Sequence, residues 1–315
     1  MAVFKIIHIT KYQYNYPIKE SINEIRLFPY NFENQEVLQY ELLITHNPEV
    51  VIAQDFYGNR MGNFNILQPH TEMTIESRML VRVNPSVSLP ALTPVYVKDV
   101  EKEKNNSIFL LRLSYPEGIQ KQDQIKNILN EIGLKDKTIL EIATLCSTYI
   151  YEHFTYTKGI TNVETTIDEI LDHKKGVCQD FAHLLLQLLR TAGIPARYVS
   201  GYICPNENGL RGEGATHAWV EVYLPNEGWL GIDPTNNIWT NDNHVRLAVG
   251  RNFADCTPIK GTFKGIAVQT LSVCVSVGYE DGRQIEEIND VTLKEISSDV
   301  KQQLEVLDQL KQQQQ

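Results

Sequence analysis

Three residues in the second half of the chain have the side-chain types that nucleophilic acyl chemistry needs. They are Cys178 in GVCQDFAHLLLQLLRTAGIP, His217 in ATHAWVEVY and Asp233 in GWLGIDPTNN. Such chemistry requires a nucleophile, a base that takes and returns a proton, and a group that orients the base. After Cys178, the residues Phe181, Leu184, Leu185, Leu188 and Leu189 recur at helical spacing, and Gly193 followed by Pro195 supplies a stop. The spacing predicts a helix that is buried on one side and begins at or next to Cys178. A sulfur there lies in the positive field of unsatisfied N–H groups, which favours thiolate over thiol and could hold a developing oxyanion. A free cysteine that merely packs as a small hydrophobe fits the same position.

Thr216 to Tyr223 alternates so that His217, Trp219, Glu221 and Tyr223 share one face of a strand, and Gly228 to Asp233 puts Trp229, Gly231 and Asp233 on one face of the next. Leu224 to Gly228 is a turn sequence, so the two strands should form an antiparallel hairpin. With the turn centred on Pro225, residues whose numbers sum to about 450 face one another. His217 and Asp233 then become cross-strand neighbours with Cβ atoms roughly 4.5 to 5.5 Å apart, and a slip of two residues would make them diagonal at about 7 to 8 Å. Alone, a strand histidine is compatible with a structural role, and an aspartate before proline with turn formation. The joint occurrence of all three types favours the chemical reading.

The elements that must position these residues follow from periodicity. From Val3 to about Val97 the pattern is mostly period-two, broken by turn signals at Asn47-Pro48, Tyr57-Gly58-Asn59 and Asn84-Pro85, which predicts an all-β, sandwich-like domain. Val97 to Ser107 is charged and reads as a linker or long loop. Beyond it, Ile125 to Ile132 and Ile139 to Ile150 read as helices, and Thr166 with Glu169 has the spacing of a capping box. Strands return at ARYVSGY, at the hairpin and at AVQTLSVCVSV. Leu293, Ile296, Val300, Leu304 and Leu307 predict a terminal amphipathic helix before a glutamine-rich tail. The expected fold is α+β: an N-terminal all-β domain over 1–110, a core over 111–285 in which a nucleophile-bearing helix packs on an antiparallel sheet, and a tail over 286–315.

The 315 residues, 42% of them hydrophobic, suffice for a sizeable buried core. A net charge of -10 without a basic cluster argues against nucleic acid as a partner. The N-terminal residues lack the pattern of a signal peptide, and no run of 18 or more apolar residues suggests a membrane span. Five widely spaced cysteines without a C-x-x-C pair fit free thiols in a reducing cytoplasm.

The stretches GVCQDFAHLLLQLLRTAGIPARYVSGY and ATHAWVEVYLPNEGWLGIDPTNN, with YEHFTY upstream, resemble the transglutaminase-like superfamily of papain-type fold in its bacterial form; INEIRLFPY and DFYGN resemble that form's N-terminal domain. The resemblance runs from the first strands to about Val277. It implies a nucleophilic Cys178, His217 as general base and acid, and Asp233 as orienter, with no departure at those positions. Tyr156 is then a candidate to donate its O–H to an oxyanion, or else packs. Gln179 and Asp180 fit helix capping first and substrate contact second. Trp219 and Trp229 would wall the cleft or cover the hairpin, and the polar loop 205–215 would form a rim or an ordinary exposed loop. His183 could join Cys178, His217 and Asp233 only in an ill-spaced metal site, so neither metal nor cofactor is expected.

These readings converge on a thiol-dependent acyl-transfer enzyme acting on peptide or side-chain amide bonds of a protein or peptide substrate, through a Cys-His-Asp triad and a thioester intermediate, and expected to be a hydrolase, a cysteine peptidase or amidase. A crosslinking glutamine γ-glutamyltransferase, or a peptide-binding module without catalysis, are the alternatives. Substrate identity and oligomeric state are left open by the sequence.

Overall fold

The computed structural model describes residues 2–32, 34–84, 93–158, 165–204, 210–211, 216–281 and 287–296. The chain begins with six strands: β1 (Ala2–Ile18), β2 (Glu20–Ile25), β3 (Gln35–Ile44), β4 (Val51–Gln54), β5 (Arg60–Ile66) and β6 (His70–Val83). Period-two patterning accounts for them. Along β1, Phe4, Ile6, His8, Thr10, Tyr12 and Tyr14 are buried while the residues between them are more accessible. The expected turns form where the backbone can enter left-handed space, at His46, Asn47 and Gly58.

Helices and a second sheet follow. They are α1 (Val97–Asn106), α2 (Ile108–Arg112), α3 (Gln122–Ile132), α4 (Ile139–His153), the short β7 (Thr155–Tyr156), α5 (Ile167–His173), β8 (Lys175–Gly176) and α6 (Cys178–Thr191). After them come β9 (Ala196–Ile203), β10 (Thr216–Leu224), β11 (Gly228–Asp233), β12 (Ile238–Trp239), β13 (His244–Gly250) and α7 (Phe253–Cys256). The predicted capping box starts α5: Thr166 Oγ1 accepts from the Glu169 N–H, and the Glu169 carboxylate accepts from the Thr166 N–H. The sheet has the order β12-β11-β10-β9-β13, antiparallel throughout. Helix α6 packs on β9 and β10 and touches α3, α4 and α5. Its Phe181, Leu184, Leu185, Leu188 and Leu189 are fully buried in one core with Ile142, Val220 and Val222.

The segment expected to be a linker is α1. Its lysines and glutamates are good helix formers, Asp99 accepts the Tyr96 N–H at the N-terminus, and Val100 is buried. Helices α1 and α2 lie with the core-bearing unit, so the sequence boundary at 110 falls too late. That unit comprises 83–256 with residues 1–2.

The chain after Cys256 returns to the N-terminal strands. β14 (Ile259–Lys264) pairs with β2, and β15 (Val268–Tyr279) pairs with β1, from Phe4 opposite Tyr279 to Tyr14 opposite Gln269. One sheet of this other unit has the order β16-β15-β1-β6-β3, the second β14-β2-β5-β4. The expectation that the core ran to 285 is therefore corrected: 257–281 complete the N-terminal unit. The C-terminal helix is corrected in part. β16 (Glu287–Ile296) is a strand paired along β15, so Leu293 and Ile296 are not helical. A short apolar spacing fits both periods, and the open edge of β15 decides it. The remainder of the expected helix lies outside the described residues.

Candidate active site

Cys178 is the first residue of α6, preceded by Val177 in extended conformation. The helix starts there because the Asp180 side chain turns back to accept the Val177 N–H at 2.7 Å, the capping role expected of it. A Cβ on Gly176 would meet the Asp180 carboxylate at 2.7 Å, so the chain can approach its own cap only with glycine at this position. Cys178 is half-buried, whereas Cys146, Cys204 and Cys256 are buried.

Strand β8 lies parallel to β7 and pairs Gly176 with Tyr156, which carries the Tyr156 phenol toward the start of α6. Burial, together with the nearby charges of Cys178 and Asp233, pushes the Tyr156 hydroxyl far above its ordinary range, so it stays protonated. Its ring meets Phe181 edge-on at 6.3 Å.

The hairpin of β10 and β11 forms, with a different register. Val220 faces Ile232 and Leu224 faces Gly228, so opposing numbers sum to 452 and the turn is displaced by one residue. Asn226 and Gly228 take positive φ, and the chain reverses around them instead of at Pro225. This is the slip that makes His217 and Asp233 diagonal neighbours. A slip of two conserves the face, and the side chains still meet: Asp233 Oδ2 accepts from His217 Nε2 at 2.8 Å, both residues being buried.

Asp233 is a hub. Oδ1 accepts from the Thr235 N–H at 2.9 Å, and Oδ2 accepts from Asn236 Nδ2 at 2.7 Å and faces His244 Nε2 at 3.5 Å. Burial alone would raise its pKa, but His217 and His244 outweigh that and hold the carboxyl well below the usual carboxylate range. An ionised carboxylate only accepts, so His217 Nε2 carries a proton. Burial pulls the His217 pKa down, but the Asp233 charge and hydrogen bond, reinforced by Cys178, lift it to about 10. The imidazolium is thus the stable form. With Nε2 committed to Asp233, Nδ1 is the atom left for a sulfur; it is buried without a hydrogen bond of ordinary geometry. Burial keeps His244 lower than usual, hence neutral.

Trp219 is buried beside both histidines, inclined 29° to His217 at 6.4 Å and edge-on to His244 at 5.3 Å. Its place depends on Gly201, which pairs with His217 across β9 and β10; a Cβ there would lie 2.6 Å from the indole and 2.1 Å from the Val245 carbonyl oxygen. Below the site, Glu221 is buried between Arg197, which donates to it at 2.6 Å, and Arg246, tying β9, β10 and β13 together. Trp229 takes the Arg197 guanidinium over its ring at 4.2 Å, so it covers the hairpin.

Of the sequence candidates, Cys178, His217, Asp233, Tyr156 and Trp219 come together. Gln179 is half-buried at the second position of α6. His183 lies elsewhere, accepting the Phe253 N–H at 3.1 Å, which rules it out of the mixed cluster. Among the described residues, one atom each from His217, Asp233 and His244 lie within 4.8 Å of one another, and this is the group with metal-like spacing. The carboxylate there is already the acceptor for both imidazoles. His244, Asn236 and Gly201 were missed by the sequence reading; the asparagine in DPTNN was the one local signal, whereas His244 arrives through β13, whose position no local pattern reveals.

The profile of the transglutaminase-like superfamily matches residues 126–234, and that of the bacterial transglutaminase-like N-terminal region matches 4–82. An uncharacterised protein of Mycobacterium tuberculosis is 32% identical over 274 residues, covering 82% of this chain and 86% of the relative. One from Mycobacterium leprae is 30% identical, over 87% of this chain and 97% of the relative. A protein-glutamine gamma-glutamyltransferase of Pseudomonas aeruginosa is 36% identical over 104 residues, 31% of this chain but 16% of that protein. A solved structure described as "a Putative Cysteine Protease from Cytophaga hutchinsonii" shares the fold with a TM-score of 0.69 and 24% identity, covering 94% of this chain and 97% of the other.

Proposed function

The chain belongs to the transglutaminase-like superfamily, and on that premise we propose that it is a thiol-dependent acyl-transfer enzyme in which Cys178 is the nucleophile, His217 the proton carrier and Asp233 its orienter. The observation that carries this is the imidazole of His217, bound through Nε2 to a buried carboxylate and acted on by Cys178 at the head of α6.

The Cys178 thiolate attacks the carbonyl carbon of a bound amide, and the C=O electron pair moves to oxygen. Backbone N–H groups at the start of α6, with the protonated Tyr156 hydroxyl, are the donors at hand for that oxyanion. His217 releases its Nδ1 proton to the amide nitrogen as the C–N bond breaks, which leaves a thioester and a neutral imidazole. An incoming nucleophile gives its proton to Nδ1 as it attacks the thioester, and the thiolate departs. Asp233 keeps the ring in the tautomer and orientation that both steps need.

The acceptor we assign is water, since hydrolysis needs no dedicated amine-binding surface; the enzyme is then a peptidase or amidase working in a reducing compartment. The similarity to a gamma-glutamyltransferase over 104 residues supports crosslinking as the second reading. The test is the pH dependence of iodoacetamide labelling at each cysteine, read by mass spectrometry. Cys178 should react faster than the half-buried Cys274 at neutral pH; equal rates overturn the assignment. Lysate treated with wild type but not Cys178→Ala should then show cleaved or deamidated peptides, and new crosslinked species instead would favour the transferase.

A further inference from the structure

Arg211 is a cation held beside this site without a carboxylate partner among the described residues. Its backbone N–H donates to Asn236 Oδ1 at 2.7 Å, and Asn236 Nδ2 donates back to the Arg211 carbonyl oxygen at 3.2 Å as well as to Asp233. The same asparagine therefore fixes the arginine backbone and the orienting carboxylate. The guanidinium lies over the Tyr151 ring at 4.3 Å and reaches the Thr235 carbonyl oxygen at 3.5 Å. Its charge acts on the Tyr156 hydroxyl, the group on which Cys178 and Asp233 also act. A half-buried cation in such a place is screened less than a surface one, and its planar fork matches carboxylate geometry.

Among the described residues one long hydrogen bond, to the Thr235 carbonyl oxygen, draws on a fork of five N–H donors. With Asp233 ionised, the sulfur negative when reactive and the whole chain at -10, an anionic substrate would otherwise be repelled. We propose that Arg211 forms a subsite for a carboxylate on the acyl donor, so that the substrates are peptides bearing a carboxylate next to the reacting amide. This rests on Cys178 being the nucleophile.

The test compares alkylation of Cys178 by iodoacetate, which carries a carboxylate, with alkylation by neutral iodoacetamide. In both, the sulfur displaces iodide and forms a C–S bond, so any change in the thiolate itself divides out of the rate ratio. The iodoacetate to iodoacetamide ratio at Cys178 should exceed that at Cys274 by about fivefold or more at low salt. Arg211→Gln should bring the two ratios together, and Arg211→Lys should keep part of the difference, a graded result that misfolding would not produce. A ratio at Cys178 no higher than at Cys274, or one unchanged in Arg211→Gln, overturns the subsite. Slow labelling of Cys178 by both reagents would instead strike at the nucleophile. N-acetylglutamate α-amide and N-acetylalanine as competitors distinguish a side-chain from a terminal carboxylate by which one slows labelling more.

Discussion

His217 and Asp233 meet at 2.8 Å although the observed hairpin register does not set them opposite each other. The contact survives because a displacement of two residues leaves both side chains on one face. Asp233→Asn keeps the size but can present an N–H where the imidazole needs an acceptor. Labelling of Cys178 and any turnover should fall by about 10²- to 10⁴-fold, as when a triad orienter is lost, with circular dichroism unchanged.

His244 steadies the same carboxylate from β13 at 3.5 Å and packs edge-on against Trp219. His244→Phe keeps a ring against the indole but removes the donor. Cys178 labelling should slow on the order of 10-fold, the usual effect of losing a residue that orients a functional ligand. His244→Gln, which can still donate, should recover part of the rate.

Gly201→Ala forces a Cβ against the Val245 carbonyl and the Trp219 ring at once. Neither neighbour is a flexible chain end. Urea denaturation should show a loss of about 1–3 kcal/mol or more, and the labelling rate should drop because Trp219 lies beside His217.

Glu221 is a carboxylate buried between Arg197 and Arg246, so Glu221→Gln removes the charge that both guanidinium groups face. A loss of about 3–5 kcal/mol is expected in chemical denaturation. Arg197→Lys should cost less.

Stability should fall toward both ends of the pH scale for different residues. His217, lifted to about 10, stabilises the fold fully below its ordinary value near 6.5, and that contribution disappears as pH rises through about 10. The buried His8 and the half-buried His183, both held neutral by desolvation at about 4, act in the opposite sense: their contributions are present above 6.5 and are lost as pH falls through about 4. Melting temperature against pH should flatten on the alkaline side in His217→Gln and on the acid side in His183→Gln.

Much of this was written locally in the chain. The helix start at Cys178, the capping box at Thr166 and the common face of His217 and Asp233 each depend on a few consecutive residues, and those arose where the pattern placed them. The hairpin register was misjudged because Pro225 is a strong turn signal but Asn226 and Gly228 carry the positive φ that the reversal uses. The charged composition of α1 reads as a linker, yet those charges are helix formers and one valine anchors the helix. The fate of the C-terminal residues was illegible for a different reason. Whether β15 and β16 add to a sheet depends on β1, which is remote in sequence, and no window of residues contains that partner.

The pairing of β1 with β15 also sets an order of events during synthesis. The described strands and helices of the unit bearing Cys178 are complete by residue 256, whereas β1 must wait for Gln269 to Tyr279 before its outer ladder can close. On a ribosome adding about 5–20 residues per second, the later-encoded unit can fold while the outer edges of β1 and β2 still await β15 and β14. The N-terminal strands are thus first made and last finished, and their open edges are where chaperone binding or misassembly of the nascent chain should concentrate.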